Sequence, residues 1–302
     1  MKKTLTVFTP TYNRAHTLTR LYESLCRQTC NDFEWMVIDD GSTDNTRELV
    51  QGFIEEGNIF INYIYKENGG LYTGYNTAYL NINTELNVCI DSDDFMPDNA
   101  VELILTTWHK RGSSKYAGII GLDYYADTKE PIGGKFPKDQ QECFLVDFLI
   151  RRTHLGDVKQ VMRTDLMRRV APQEGFPGEK NFNPFYMLMQ VGDQFPSLVI
   201  NENLCFVEYQ QTDSMSAGIF NQYMNSPRSF AKMRILAMKL QRGTFTYRLR
   251  SAIHYVSSCI IAHDKNCLKN SPRKLMTLSV FPIGWLLSIY IRYKALKAKE
   301  DE

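Results

Sequence analysis

The sequence has little of what marks several common protein classes. Its 302 residues include only 18 glycines and 11 prolines, which leaves little room for low-complexity linkers or a collagen-like repeat. The seven cysteines are scattered and include no Cys-x-x-Cys pair, which argues against a disulfide framework and a zinc site. A formal net charge of +1 gives no whole-molecule reason to expect nucleic acid as a partner. A reducing cytoplasm is the simplest setting.

Charge is distributed unevenly along the chain. Residues 1–225 carry 30 acidic and 20 basic side chains, whereas residues 226–302 carry 4 acidic and 15 basic ones. Two regions of opposite charge are expected to face different partners. We therefore divide the chain into a domain over residues 1–225 and a basic, helical C-terminal region over residues 226–302.

From Thr4 to about Asp94, short apolar runs alternate with helix-like amphipathic stretches. The pattern predicts strands over 5–8, 33–38, 59–65 and 86–90, then 116–122 and 198–209. Helices are predicted from Pro97 through Trp108, over 182–191, and as three basic segments near 228–242, 245–263 and 272–298. Strand–helix alternation favours an α/β fold with a Rossmann-like, mostly parallel central sheet flanked by helices.

Each of the first four predicted strands ends in a polar cluster. These clusters are Thr9–Arg14, Asp39–Asp44, Lys66–Gly70 and Asp91–Asp94. Ligands of doubly wound sheets bind beyond the carboxyl ends of the strands, so the clusters are expected to share one cleft. The first strand is not followed by a Gly-x-Gly-x-x-Gly fingerprint, which counts against a dinucleotide-dependent oxidoreductase.

The residue types in these clusters suit a nucleotide diphosphate and a divalent cation. Asp91-x-Asp93 offers the carboxylate oxygens that Mg2+ and Mn2+ prefer, and the cation relieves their mutual repulsion. Tyr12 could stack on a base, and Asp40 could accept a hydrogen bond from it. Gly69 and Gly70 would let the backbone approach a ligand closely. Solvated turns and helix caps are the alternative for each acidic cluster.

Four motifs in this order resemble those of family 2 glycosyltransferases with the GT-A fold. They are Pro10-Thr11-Tyr12-Asn13, Asp39-Asp40-Gly41-Ser42-Thr43-Asp44, Asn68-Gly69-Gly70 and Asp91-Ser92-Asp93-Asp94. The resemblance is strong over about residues 1–125, the nucleotide-binding half, and thinner over about 126–225, the acceptor half. It implies metal-dependent transfer of a sugar from a nucleotide diphosphate, usually UDP and otherwise GDP, with inversion at the anomeric carbon.

The resemblance also implies roles for individual residues. The base would be held by Pro10, Thr11, Tyr12 and Asp40, and the ribose or a metal-bound water by Asp91 and Ser92. Gly69 and Gly70 would lie against the donor. Asp93, together with Asp94 and Asp91, would bind Mn2+ or Mg2+ across the diphosphate. An inverting displacement also needs a base for the acceptor hydroxyl. Glu179 matches the context of that acid best, with Asp193 second, and a solvated loop acid paired to Lys180 is the alternative for Glu179.

Three other functions compete with this interpretation. An inactive nucleotide-sugar binding or scaffolding protein would keep the base and ribose contacts without catalysis. A Rossmann oxidoreductase lacks its glycine fingerprint here. A haloacid-dehalogenase-like phosphatase needs its Asp-x-Asp pair after the first strand, whereas this chain has it after the fourth.

The basic C-terminal region contains an uncharged run of 17 residues, Leu275 to Ile291. That length is at the lower limit for a spanning helix, and Pro282 and Gly284 interrupt it. We expect a helix that lies in the interface of an anionic membrane, or one that packs on the protein and leaves its charges to solvent. A peripheral place at the inner face of the plasma membrane would suit a lipid-linked acceptor; a saccharide is the other acceptor. The resemblance suggests cell-envelope or capsule polysaccharide synthesis.

Overall fold

The structure is a computed structural model, and it describes residues 2–208 and 218–300, with side chains up to residue 298. The chain divides into two compact units. The first comprises Met1–Gln173 and Met187–Tyr209, and the second comprises Glu174–Tyr186 and Gln210–Glu302. The second unit thus contains the whole basic region together with shorter pieces that precede it. The division at residue 225 stays a prediction about domains.

An eight-stranded sheet forms the centre of the first unit, in the order β3-β2-β1-β4-β7-β5-β8-β6. Its strands are β1 Leu5–Thr11, β2 Phe33–Asp39, β3 Ile61–Tyr65, β4 Leu86–Cys89, β5 Gly118–Tyr125, β6 Glu142–Cys143, β7 Val158–Arg163 and β8 Ser197–Val207. The pairs β1–β2, β1–β4, β2–β3 and β5–β8 are parallel. The predicted α/β fold with a mostly parallel sheet is therefore confirmed. Tyr209, the predicted end of the last strand, lies outside the described residues.

Seven helices of the described chain accompany the sheet in sequence. They are α1 Ala15–Cys26, α2 Thr46–Glu56, α3 Leu71–Asn81, α4 Ala100–Arg111, α5 Leu145–Arg151, α6 Thr164–Val170 and α7 Phe185–Gln194. In α1 the apolar spacing predicted the buried face, since Leu18, Leu21 and Leu25 are fully buried. The sequence pattern does not predict α3, because Gly74 and several threonines and asparagines interrupt any apolar stripe.

Aromatic packing beneath β1 and β2 fixes the first half of the sheet. The indole of Trp35 is fully buried, and its Nε1 donates a hydrogen bond to Thr9 Oγ1 over 3.0 Å. Tyr22 from α1 stacks on Phe53 from α2 with ring centroids 3.9 Å apart. Truncating a buried indole to alanine typically costs about 3–5 kcal/mol, so Trp35 is a principal anchor of the strands that carry the polar clusters.

The second unit is helical. Its helices are α8 Ile219–Asn225, α9 Pro227–Lys239, α10 Phe245–Ile261, α11 Cys267–Asn270, α12 Lys274–Ser279 and α13 Phe281–Glu300. Its apolar core centres on α10, where Tyr255 is buried and donates a hydrogen bond to the carbonyl of Cys267 over 2.8 Å. The predicted helix over 272–298 is divided at Val280, because Pro282 cannot continue a helix from the preceding turn but is tolerated in the first turn of a new one.

None of the helices in residues 2–208 and 218–300 has the combination of length and apolar content that crossing a bilayer requires.

Candidate functional site

The four polar clusters lie at one edge of the sheet. Thr11 at the end of β1 is in register with Asp39 at the end of β2, and Asp39 is in register with Tyr65 at the end of β3. On the other side of β1, Phe8 is in register with Cys89, the last residue of β4. Because these four strands are parallel, the loops that follow them emerge side by side. The four clusters therefore lie side by side at one end of the sheet, and their shared ligand cleft stays a prediction.

The loops after β1 and β2 are locked together by hydrogen bonds. Asn13 has a φ of 53°, and two hydrogen bonds hold it in this conformation. Its amide donates to Ser42 Oγ over 2.9 Å, and its Oδ1 accepts from the Thr43 amide over 2.8 Å. Asp44 Oδ2 accepts from the first amide of α1, at Ala15, over 3.1 Å. The Asp-Gly-Ser-Thr-Asp segment therefore fixes the neighbouring loop and caps its helix.

The carboxylate of Asp40 is buried and organises the loop after β3. Its Oδ1 accepts from the Gly69 amide over 3.0 Å, and its Oδ2 accepts from the Gly70 amide over 2.9 Å. Lys66 Nζ donates to the same carboxylate, and Asn68 Nδ2 donates to it over 3.3 Å. The predicted base-binding acid is thus engaged with the glycine pair in this structure.

Glycine is required at Gly41 and Gly70. Gly41 has a φ of 84°, and a Cβ there would lie 2.7 Å from the backbone nitrogen of Asn68. Gly70 has a φ of 91° and directly precedes α3. Side chains at these two positions would be strained by the left-handed backbone, and at Gly41 one would also push the two loops apart.

Thr11 and Tyr12 present an unused hydroxyl and an open ring. Thr11 is 3% exposed, and its Oγ1 has no hydrogen-bond partner in the described part of the chain. The Tyr12 side chain, directly next to it, is 48% exposed. A buried unpaired hydroxyl is costly in a folded protein, so this pair suits a ligand that supplies a polar atom and a flat face together.

The acidic residues after β4 differ in their surroundings. Asp91 is exposed, Asp93 is half-buried, and Ser92 and Asp94 are buried. Arg20 donates to the backbone carbonyl of Asp93, which fixes the turn but leaves the Asp93 carboxylate out of that contact. Asp94 faces inward, where its Oδ1 accepts from the Glu208 amide over 3.3 Å. The Asp-x-Asp-Asp motif thus has an outer part and an inner part.

Asp94, the inner acid of the motif, belongs to a buried ion cluster that the sequence analysis missed. Lys159, on β7, has its Nζ 3.7 Å from Asp123 Oδ1 and 4.0 Å from Asp94 Oδ2. Burial raises the pKa of Asp94 to about 7 and that of Asp123 to about 6, although Lys159 acts in the opposite direction. Burial lowers the pKa of Lys159, but the carboxylates outweigh it and leave that pKa above its ordinary value. An aspartate inside the largely apolar strand β5 was the available signal.

The outer carboxylates fit a hard divalent cation by their chemistry. Asp91 and Asp93 supply oxygen donors, and neither takes part in an ion pair described above. No group of three His, Cys, Asp or Glu side chains within residues 2–208 and 218–300 is arranged to hold a metal ion. A metal here would therefore have protein ligands from Asp91 and Asp93, with its remaining positions open to phosphate oxygens and water.

The two candidates for the catalytic base lie in different settings. Glu179 belongs to the second unit and is 8% exposed. Its Oε1 accepts from the Arg228 amide over 3.0 Å, and its Oε2 accepts from the amide and hydroxyl of Ser229, each over 2.7 Å. The carboxylate therefore caps the N-terminus of α9, instead of the solvated pairing considered from the sequence. Asp193 belongs to the first unit, where it is buried on α7.

Comparison with known proteins gives the family. The model of Glycosyl transferase family 2 matches residues 6–154. Glycosyltransferase GlyG of Streptococcus pneumoniae serotype 4 is 29% identical over 222 residues, which cover 68% of this chain and 70% of GlyG. The GalNAc(5)-diNAcBac-PP-undecaprenol beta-1,3-glucosyltransferase of Campylobacter jejuni is 27% identical over 184 residues, or 58% of this chain and 57% of that enzyme. With glycosyltransferase GlyA of the same Streptococcus strain, 33% identity covers 40% of this chain but only 17% of GlyA's length.

Solved structures share the fold. Staphylococcus aureus TarS 1-349 in complex with UDP superposes with a TM-score of 0.59 at 15% identity, covering 99% of this chain and 92% of that one. The mannosyltransferase PcManGT from Pyrobaculum calidifontis, in complex with GDP-Man and Mn2+, superposes with a TM-score of 0.55 at 16% identity, covering 98% and 84%. The solved structures show the GT-A fold, and the family model together with the four ordered motifs identifies residues 6–154 as a family 2 glycosyltransferase domain.

Proposed function

We propose that this glycosyltransferase moves a sugar from a nucleotide diphosphate donor to a hydroxyl of a saccharide or lipid-linked acceptor, with inversion and with Mn2+ or Mg2+. UDP-sugars are the first donor class and GDP-sugars the second. The observation that carries the proposal is the buried, unpaired hydroxyl of Thr11 beside the exposed ring of Tyr12. They lie at the same sheet edge as Asp91 and Asp93. The UDP complex of TarS and the GDP-Man complex of PcManGT support a nucleotide ligand for a protein of this fold.

In this proposal the base binds at the end of β1. Tyr12 stacks on its face, and the Thr11 hydroxyl gains the hydrogen bond that it lacks. Pro10 orients these two residues from within the strand. Asp40 contributes by holding Gly69 and Gly70, since its carboxylate already accepts from both of their amides. The glycine pair then forms a wall against which the donor lies.

The diphosphate lies at the end of β4 with the cation. Asp93 binds the metal, and Asp91 binds it or the ribose, with Ser92 as a buried neighbour. When bound, Mn2+ or Mg2+ supplies Lewis-acid stabilisation of the charge on the leaving diphosphate. Asp94 acts indirectly: its ion pair with Lys159 anchors the turn that carries Asp91 and Asp93. We therefore assign Asp94 to positioning rather than to direct metal ligation.

Transfer requires a base for the acceptor. The acceptor oxygen forms a bond to the anomeric carbon as the bond from that carbon to the diphosphate oxygen breaks, and the acceptor proton goes to a carboxylate. Glu179 is our first candidate for that carboxylate and Asp193 the second. The carboxylate of Glu179 already accepts hydrogen bonds from Arg228 and Ser229 at the start of α9, so the residue also has a structural role. Glu179 therefore needs a test that separates chemistry from capping.

The proposed setting is cell-envelope or capsule polysaccharide synthesis. The name of the Campylobacter relative describes a polyprenyl-diphosphate-linked acceptor, and that relative covers more than half of this chain. A lipid-linked acceptor would require the enzyme to work at the cytoplasmic face of a membrane. A soluble saccharide acceptor would not.

The decisive experiment measures release of UDP or GDP from a panel of nucleotide sugars, with Mn2+, with Mg2+ and with EDTA. We expect release from one donor class, loss of release with EDTA, and loss of nucleotide binding when Tyr12 is replaced in Y12A. Leu80→Ala is the matched control, since Leu80 is also an exposed large side chain of the first unit. Metal-dependent UDP binding without turnover on any acceptor would favour the inactive nucleotide-sugar binding protein. Thermal stabilisation by NAD alone would overturn the proposal.

A further inference from the structure

Helix α13 packs through its small residues. The buried positions are Gly284, Ser288, Ile291 and Ala295, whose spacing of four, three and four defines one side of the helix. A Cβ at Gly284 would lie 2.5 Å from the Cβ of Val256 on α10. The helix therefore approaches α10 closely at Gly284, and Ile291 is the one large side chain on its buried side.

The opposite side of α13, together with α12, exposes large apolar residues. We call this surface the apolar face; its members are Leu275, Leu278, Ile283, Trp285, Leu286, Ile289, Tyr290, Tyr293 and Leu296. All of them are 46% to 85% exposed. A helix at a protein surface ordinarily buries its large apolar residues and turns polar ones outward. Here the arrangement is reversed, and nine large apolar side chains exposed on two successive helices indicate an interaction site.

The charges around the apolar face all have one sign. From Lys265 to Lys299 the chain carries eight Lys and Arg residues and no Asp or Glu. At 100° per residue, Arg292 and Lys294 fall on the two borders between the apolar face and the packed side, and both are half-buried. Arg273 and Lys274 precede the face at its other end. Long cationic side chains at such borders can place their stems on apolar surface and their charges among phosphates.

We propose that the apolar face docks the second unit on an anionic lipid bilayer, with α12 and α13 lying in the interface plane. Trp285, Tyr290 and Tyr293 have the amphipathic rings that favour the headgroup level. The cationic borders favour anionic headgroups and disfavour a second copy of this basic surface. Of the two expectations from the sequence, this proposal adopts the interfacial one for the outer side of α13. This inference does not depend on the donor chemistry.

The natural fluorescence of the protein makes the docking measurable. Trp285 is 51% exposed, whereas Trp35 is fully buried and Trp108 is 9% exposed, so acrylamide quenching reports mainly on Trp285. With vesicles rich in phosphatidylglycerol we expect co-sedimentation of the full chain, a blue shift and protection from acrylamide. Vesicles of phosphatidylcholine alone should bind at least about tenfold more weakly, and added salt should weaken the anionic case.

Two variants test the surface itself. The double change Leu286→Glu with Ile289→Glu should lower vesicle binding by about tenfold or more while leaving the melting temperature unchanged, because both side chains are exposed. Leu155→Glu is the matched control: Leu155 is 79% exposed on the first unit, and its replacement should leave vesicle binding intact. Arg292→Gln with Lys294→Gln should weaken binding to the anionic vesicles selectively.

The opposing outcomes are distinct. Failure of the full chain to bind anionic vesicles would overturn the docking proposal. If the wild type is instead a dimer in lipid-free solution that the Leu286→Glu, Ile289→Glu variant converts to a monomer, the apolar face joins two copies of this chain and the proposal is wrong. Nucleotide release from donor alone should be unchanged in that variant, so loss of docking and failure of the proposed transferase function can be told apart.

Discussion

The carboxylate of Asp40 accepts the backbone amides of Gly69 and Gly70 over 3.0 Å and 2.9 Å, so the loop after β2 sets the shape of the loop after β3. Family resemblance gave Asp40 to the nucleotide base. That contact stays a prediction, and the structure adds a second role: each carboxylate oxygen of Asp40 accepts from one of the two glycines and so holds their loop. Changing the acid should therefore affect the loop first and the nucleotide through it.

We expect Asp40→Asn to weaken UDP binding by about tenfold or more and to lower the stability of the protein by about 1–3 kcal/mol. One carboxylate oxygen becomes an NH2 group that faces a backbone N–H, and Lys66 loses its charged partner. Calorimetry of UDP binding and urea unfolding measure the two effects. Glu48→Gln, an exposed acid on α2, is the control. If Asp40→Asn loses UDP binding but keeps the stability of the wild type, Asp40 contacts the base directly.

Asp93→Asn should remove the metal dependence of UDP binding. A neutral amide is a weaker ligand for a hard cation, so the affinity of the variant with Mn2+ should fall to the value that the wild type shows in EDTA. Asp98→Asn is the control, because Asp98 is exposed and paired with Arg27 away from the motif. If EDTA leaves the UDP affinity of the wild type unchanged, and Asp93→Asn has the same affinity as the wild type, the metal assignment is wrong.

Glu179→Gln separates proton transfer from helix capping. If Glu179 is the base, turnover should fall by about a hundredfold or more while donor affinity stays nearly constant. Ser229→Ala supplies the matched control, since it removes one hydrogen bond of the cap but keeps the carboxylate; it should cost about 1 kcal/mol of stability and little turnover. Equal losses of turnover in both variants would assign Glu179 to capping α9 and leave Asp193 as the candidate base, which Asp193→Asn then tests.

The sequence predicted where the four polar clusters lie on the sheet because each cluster follows its strand directly in the chain. Each apolar run of β1, β2 and β4 ends directly in its polar motif, so strand parallelism alone brings Thr11, Asp40 and Asp91 together. Lys159 could not be predicted in the same way. Its position between Asp94 and Asp123 depends on β7 entering antiparallel between β4 and β5, which is a long-range pairing.

Two other features were hidden for different reasons. Glu179 accepts a hydrogen bond from Ser229, which lies fifty residues later in the chain, and no local pattern links the two residues. In α13 the apolar residues surround the helix, so periodicity does not reveal which side is buried. The burial of Ser288 and Ala295 and the close approach of Gly284 to α10 show in the structure which side faces inward.

The buried cluster around Lys159 predicts a pH dependence of stability. The pKa of Asp123 is raised to about 6 and that of Asp94 to about 7, against 3.8 for an unperturbed aspartate. Between about pH 4 and 7 the folded chain therefore holds protons that the unfolded chain has released, so this contribution to stability falls as pH rises through that window. Asp123→Asn removes one such group, and the fall between pH 4 and 6 should become shallower by up to about 1 kcal/mol per pH unit. Urea unfolding in EDTA across this range measures it, with Asp98→Asn as the exposed control. Identical slopes for the wild type and Asp123→Asn would mean that Asp123 is ionised throughout beside Lys159.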